Sequence, residues 1–395
     1  MLMDGIRVAA LMLAAFRMLA QDVVFSQEGP NTWTNTASGT VTAAPHGRLL
    51  VVARGHIVVR GVTADRITYK LVQRVRGAGS EAEAKQLLGN GLIDRIPLGR
   101  VSRIVVQQNS SVNVGNELMV YVPRQLEVVH VESQSFGNIE AFDLDGAIEA
   151  QTPIGDIRAD RIGGYAFVNA GNGRISLGKV GGLVQCYTGA GSITVDNAAG
   201  GVKHCQTGGG DLLVKEAGAP VSLDNEGGNI TVDKAAASVD AHAVSGMIKV
   251  GQAGGQVTAD TRGGGSIEVG SARGIKAESA QGTVRVRGAS GPITISTALG
   301  NILAELAAGA RLQDSVLAAG SGDITVLIPS NFPVSVMVRD DMGAYSRLVS
   351  EFPEIRSTTV GFVKTPVVAE GTINGGGPML HINAGTGVVY LRRTR

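Results

Sequence analysis

From residue 137 onward, apolar and polar side chains alternate in short bursts, and each burst begins just after a glycine. Take the first apolar residue after the glycine as the origin. One column then runs Ile139, Ile157, Ile175, Ile193, Leu212, Ile230, Ile248, Ile267, Val284, Ile302 and Ile324. Two residues on, a second runs Ala141, Ala159, Leu177, Val195, Val214, Val232, Val250, Val269, Val286, Ala304 and Val326. A spacing of two puts both columns on one face of a strand. The residues between them, among them Glu140, Arg158, Ser176, Thr194, Thr231, Lys249, Glu268 and Arg285, suit the wet face. Five residues after the origin comes a third apolar column, from Leu144 and Ile162 to Ala289 and Ala307. Nine to thirteen after it comes a second alternating stretch, as in Ile148/Ala150/Thr152, Val184/Cys186/Thr188, Val221/Leu223/Asn225 and Ile293/Ile295/Thr297. Each repeat therefore predicts two short strands and two bends.

The glycines that open the bursts are Gly137, Gly155, Gly173, Gly191, Gly210, Gly228, Gly246, Gly265, Gly282, Gly300 and Gly322, at intervals of 17 to 22 residues. A period near 18 with this content predicts one coil of a solenoid per repeat. The expected fold is all-β: a parallel β-solenoid over 137–326 of about ten coils, right-handed as parallel crossovers are. A bend at each coil edge that needs positive φ explains the glycines. The small polar column Thr152, Thr188, Asn225, Ser279 and Thr297 is placed to bond the turn backbone. No Walker lysine pattern or strand–glycine–helix unit accompanies the glycines, so they predict coil geometry rather than a phosphate site.

The flanks lack the repeat. Residues 30–135 hold strand-like runs at 49–53, 57–60, 67–75, 104–107, 118–122 and 126–131, and are read as an N-terminal β region and cap. Ser80 to Leu88 predicts the one short helix of that cap, with Ser80 as N-cap, Glu83 completing a capping box and Gly89 ending it. Residues 327–395 are read as closing strands and a C-terminal cap, in which GVVYL (387–391) returns to the coil phrase.

Composition fits thin rungs with small core residues: 56 glycines in 395 residues, 4% aromatic and 44% apolar. A net charge of +1 points to neither nucleic acid nor an anionic membrane, and Arg392, Arg393 and Arg395 are read as a solvated tail. Residues 1–20 are read as an export signal: Arg7 precedes the apolar run Val8–Phe16, and Ala20 suits cleavage before Gln21. Asp4 and Arg17 depart from that pattern, and an amphipathic leader or a misplaced start are the alternatives. No stretch reaches 18 apolar residues, so no integral membrane segment is expected. Cys186 and Cys205 fall on neighbouring coils. Counting from the repeat puts Val202 inward, whereas aligning the two cysteine phrases puts Cys205 inward; a bulge between them reconciles the counts. Two stacked, unreacted thiols are expected there, with a disulfide as the alternative.

Three phrases carry a resemblance. GSGDITV stands at 320–326, GTINGGGPMLHINAGTGVVYLR at 371–392 and GHIVVRG at 55–61. Over about residues 45–395 the chain resembles the bacterial putative-adhesin β-strand repeat family. The resemblance implies a secreted or cell-envelope β-solenoid with no established chemistry.

Parallel β-helices also host polysaccharide lyases and glycosidases, which gather carboxylates on one outward face. The outward rows of the second sheet read Glu149, Phe167, Gln185, His204, Ser222, Asp240 and, beside it, Gln151, Asn169, Tyr187, Gln206, Asp224, His242. His204, Ser222 and Asp240 fall on successive coils, but a triad needs histidine between serine and carboxylate. The best residual candidate is Asp224–Asp240–His242, in which His242 is expected to meet Asp224 across the coil and Asp240 on its own strand. That cluster is read first as a surface ladder. No metal-ligand spacing occurs and no cofactor is expected. The leading expectation is a noncatalytic exported or envelope protein, periplasmic, on the outer surface or secreted, that binds protein or polysaccharide through its sheets or self-associates. A carbohydrate-active β-helix enzyme and an intracellular polymer-forming solenoid are the alternatives.

Overall fold

The computed structural model describes residues 22–88, 93–94, 99–106, 113–339, 347–357 and 367–394. The expected export signal, Gly89 and Gln107 lie outside them, as does Arg395. The chain winds as a parallel β-solenoid of about 11 turns with ~18 residues per turn. Each turn contributes one strand to each of two facing sheets.

The columns define the register. Ile139 pairs with Ile157, Ile157 with Ile175, and so on coil by coil to Ile302 with Ile324. Every residue of the origin column is buried, and so are the partners two residues on. Stacking like on like lets each coil bury its aliphatics against identical neighbours above and below, a gain of about 1.5–3 kcal/mol per fully buried Val, Leu or Ile. The third column holds from Leu144 to Ala289 but not at its last member. Gly288 takes φ +69 and the register slips, so Leu306, not Ala307, stacks on Ala289.

The glycines stack as the columns do. Gly173 has φ +155, and a Cβ there would lie 2.0 Å from the carbonyl oxygen of Gly155. From Gly155 to Gly322 all ten have positive φ. The small polar column locks the same bend: Thr188 Oγ1 donates to Gly173 O at 2.8 Å, and Asn225 Nδ2 donates to Gly210 O at 2.9 Å. One further ladder is not read from the periodicity. The residue after the glycine bonds the next coil: Asp211 Oδ1 accepts from Asn229 N at 2.8 Å, and Asn229 Oδ1 from Met247 N at 2.9 Å.

The bulge sits where both counts require it. Val202 pairs with Val184 and Cys205 with Cys186, the extra residue being taken up beside His204 at φ +59. Both cysteines point inward, 2% and 0% exposed. They are bonded to each other as a disulfide, their Cα atoms 4.5 Å apart. This corrects the expectation of free thiols: stacking on adjacent coils puts the two Cα atoms within disulfide range.

At both ends chain order and spatial order part. Arg48–Ala53 lies between Val101–Val106 and Val128–Ser133, and His56–Val62 between Val114–Pro123 and Ile139–Leu144. The GHIVVRG phrase is thus a coil, Ile57 stacking on Ile139, but a later segment covers it from outside. At the other end Met379–Ala384 and Val388–Arg393 are inserted between the last repeat coil and the strands Val334–Arg339 and Arg347–Ser350. Antiparallel strands finish the first end: Arg66–Arg76 pairs with Val114–Pro123, Thr32–Thr42 with Arg66–Arg76, and Asp22–Gly29 with Thr32–Thr42. The last two escape sequence reading because Thr32–Thr42 is largely Thr, Ser and Asn, without aliphatic alternation.

The helix Glu81–Leu88 forms as expected. Ser80 Oγ accepts from Glu83 N at 3.2 Å, and Glu83 Oε2 accepts from Gly79 N at 2.8 Å. It does not close the main core. Ala84 and Leu88 bury in a separate cluster with Val75 and Ala78, against Phe25 and Trp33, so strands do the capping.

Candidate functional site

The candidate residues lie on the outer face of the second sheet. In Val221–Asn225 and Val239–Ala243 the inward Val221, Leu223, Asn225 and Val239, Ala241, Ala243 are buried, which turns Asp224, Asp240 and His242 outward. Ser222 pairs in register with Asp240, Asp224 with His242, and His242 with Asp260. His242 Nε2 lies 3.0 Å from Asp240 Oδ1, as expected. The expected contact with Asp224 is replaced. Nδ1 of His242 faces Asp260 Oδ2 at 3.9 Å on the next coil, too far for a hydrogen bond, and Asp260 takes Arg262 Nε at 3.2 Å. Asp224 pairs instead with His204 Nδ1 of the preceding coil at 3.3 Å, because the bulge turns that ring toward it.

The result is a row of His–Asp and Arg–Asp contacts running along the solenoid. With Asp240 side chain 53% and His242 35% exposed, such pairs contribute about 0–1 kcal/mol each. His204, which a triad would need beside Ser222, is engaged with Asp224. Among the described residues no group of three or more His, Cys, Asp or Glu side chains is placed to hold a metal ion. Beyond Asp260 the face dips into an open groove of about 400 Å³ that also takes in Arg262, Glu278 and Ser296.

A second cluster lies on the same face nearer the N-terminus. Glu149 Oε2 lies 3.0 Å from His130 Nδ1, and Tyr165 Oη donates to Glu149 Oε1 at 2.7 Å. The His130 hydrogen bond holds the Glu149 carboxyl below its ordinary pKa, against the effect of burial, and the Tyr165 bond adds to it. Burial first, and donation to Glu149 second, push Tyr165 up to about 12. Sequence reasoning put Glu149 in the outward row but missed the cluster. His130 precedes the repeats, and the available signal was that its strand is an earlier coil, Glu149 pairing in register with His130. Beside it two aromatic side chains face outward, Phe167 at 37% and Tyr187 at 43% exposure, with the Tyr165 ring 4.4 Å from that of Phe167.

The site and fold together define a disulfide-bonded parallel β-solenoid with two long outward faces. No protein-family model matches the chain, and no curated protein matches it. Solved structures do. A putative cell adhesion protein from Clostridium sporogenes is 10% identical, with 91% of this chain and 100% of that one covered and a TM-score of 0.19. A putative adhesin from Parabacteroides merdae is 11% identical over 74% and 96%, with a TM-score of 0.29. A putative adhesin from Bacteroides fragilis is 9% identical over 91% and 97%, with a TM-score of 0.24. At these values the likeness carries no argument about function.

Proposed function

We propose that this chain is a noncatalytic, exported β-solenoid of the cell envelope or extracellular space, binding other molecules through the outer faces of its sheets in the manner of an adhesin. The Cys186–Cys205 disulfide carries the reading. Such bonds form and persist in oxidising compartments and are rare in reducing cytosol, which disfavours an intracellular polymer. The resemblance of the repeat phrases to those of the putative-adhesin β-strand repeat proteins supports the same reading. Repeat solenoids use extended faces for binding. Asp224, Asp240 and His242 belong to the ladder on such a face and are proposed as surface pairs, not as a catalytic set.

Fractionation of the native host with thiol labelling tests this. The protein should appear in the periplasmic, outer-surface or secreted fraction with both thiols blocked. A cytosolic protein with two free thiols would refute export. Turnover of a polysaccharide that vanishes in Asp224→Asn or Asp240→Asn would replace the binding role with a carbohydrate-active enzyme.

A further inference from the structure

Between the Glu149 cluster and the bulge at Lys203–His204, the outer face of the second sheet changes character. On the next coils its outward rows carry charge, with Asp224, Asp240, His242, Asp260, Lys276 and Glu278 following one another, and beyond them stand the small Thr294, Ser296, Val316 and Ala318 without an aromatic ring. In this window the outward residues are Phe167 and Tyr187 with Gln151, Asn169, Gln185 and Gln206. In register, Phe167 pairs with Gln185, Gln151 with Asn169, Asn169 with Tyr187 and Tyr187 with Gln206. Tyr187 therefore lies between the amides of Asn169 and Gln206, and Phe167 between Gln185 and the Glu149 carboxylate of the bordering cluster. None of the four amides is bonded to another protein group among the described residues. Each retains two donors and an acceptor facing solvent.

We infer that this window is a platform for a neutral polysaccharide. The inference rests on the proposal that the sheet faces bind extracellular partners, and it names the partner. Three features point to the class. First, charge: the window carries no formal charge, while Glu149 at its border is already engaged by His130 and Tyr165. A charged polymer gains no counter-charge here, and an uncharged one brings no ion to desolvate. Second, composition: a sugar ring offers an apolar C–H face and a rim of hydroxyls, which match an aromatic face beside amides. Exposed aromatic rings offer a large apolar contact area beside polar groups at binding surfaces. Third, shape: the outward row holding Tyr187 runs into the shoulder Gly171, Gly189 and Gly208, whose own residues add no side chain to it. Phe167 and Tyr187 sit one coil and two residues apart, about 8 Å on the sheet lattice. An open, flat surface with two rings at that separation suits a chain of sugars rather than an enclosed monosaccharide.

The test is affinity electrophoresis of the full chain through gels containing dextran, laminarin, xylan, polygalacturonate or alginate, at low and at high salt. At least one of the neutral polymers should retard the protein, with little dependence on salt. The double variant Phe167→Ala/Tyr187→Ala should weaken that retardation about tenfold or more, while Asp224→Asn/Asp240→Asn should not. Both rings are surface groups, and an unchanged thermal midpoint shows that the variant is folded. Retardation by none of the neutral polymers overturns the inference. So does a double variant retarded like the wild type, or salt-sensitive binding of the acidic polymers alone. Host fractionation separates the outcomes: a surface-exposed protein that ignores neutral polymers leaves the envelope reading standing and removes only the ligand.

Discussion

At the residue scale, the bend glycines differ sharply from glycines elsewhere. Gly173→Ala would set a Cβ 2.0 Å from the Gly155 carbonyl at φ +155, whereas a Cβ on Gly209 meets nothing within 4 Å. We expect Gly173→Ala to cost more than about 2 kcal/mol and Gly209→Ala less than about 0.5 kcal/mol, read by denaturant melts. Equal costs would mean that the bend tolerates a side chain. Tyr165 offers a second residue-scale readout. Its folded pKa is raised from 10.0 to about 12, so its stabilising contribution is complete below 10.0 and is lost as pH rises through about 12. Glu149 has the opposite sign: lowered from 4.5, its contribution is present above that value and is lost as pH falls through the folded pKa. In an ultraviolet titration Tyr165 should ionise late, near 12, and Glu149→Gln should move that component part of the way back. A titration curve left unchanged by Tyr165→Phe above pH ~11 would show that the cluster does not form.

At the element scale, each strand has one face that tolerates charge and one that does not. Ile230 and Val232 are both 0% exposed, while Thr231 between them is half-buried and stands beside Lys249 in the outward row. Val232→Asp should cost about 4 kcal/mol or more, since a carboxylate would enter a stack of aliphatics without a partner. Thr231→Asp should stay within about 1 kcal/mol, helped by Lys249. Circular dichroism melts check the pair, and equal sensitivity would reject the register. The disulfide belongs to this scale as well, since it joins consecutive strands of one sheet and both sulfurs lie in the core.

At the scale of the whole molecule, the ends decide whether the rod stays single. An open coil presents aliphatic columns and unpaired strand edges, which invite stacking of a second copy. Here Met379–Ala384 and Val388–Arg393 cover the edges of Ser315–Ser321 and Ile324–Ile328, and are themselves covered by Val334–Arg339 and Arg347–Ser350. Deleting residues 367–395 removes the middle layer and leaves the outer strands without their parallel partners. The truncated chain should elute as oligomers or filaments in size-exclusion chromatography, while the full chain should not form filaments. A monomeric truncation with native circular dichroism would show that the last repeat coil needs no cover.

The repeat pattern alone determined the coil, the inward columns, the glycine bends and the bulge at Cys205, because those contacts join equivalent positions a fixed number of residues apart. It also made the GHIVVRG and GVVYL phrases legible as coils, since they repeat the same alternation. The Ser80 helix was legible for a different reason: its cap is made within four residues. What the tertiary structure decided lies where sequence separation is not constant. Periodicity cannot say that the later Val114–Pro123 lies outside His56–Val62, or that Met379–Ala384 lies inside the earlier Val334–Arg339 at the far end. Nor does it say which of two neighbouring carboxylates a histidine takes. The bulge turns His204 to Asp224 and leaves His242 to Asp240, a choice set by backbone rotation at one residue. The thiols were placed together by the pattern, but bond formation rests on their Cα separation, which only the stacked coils define.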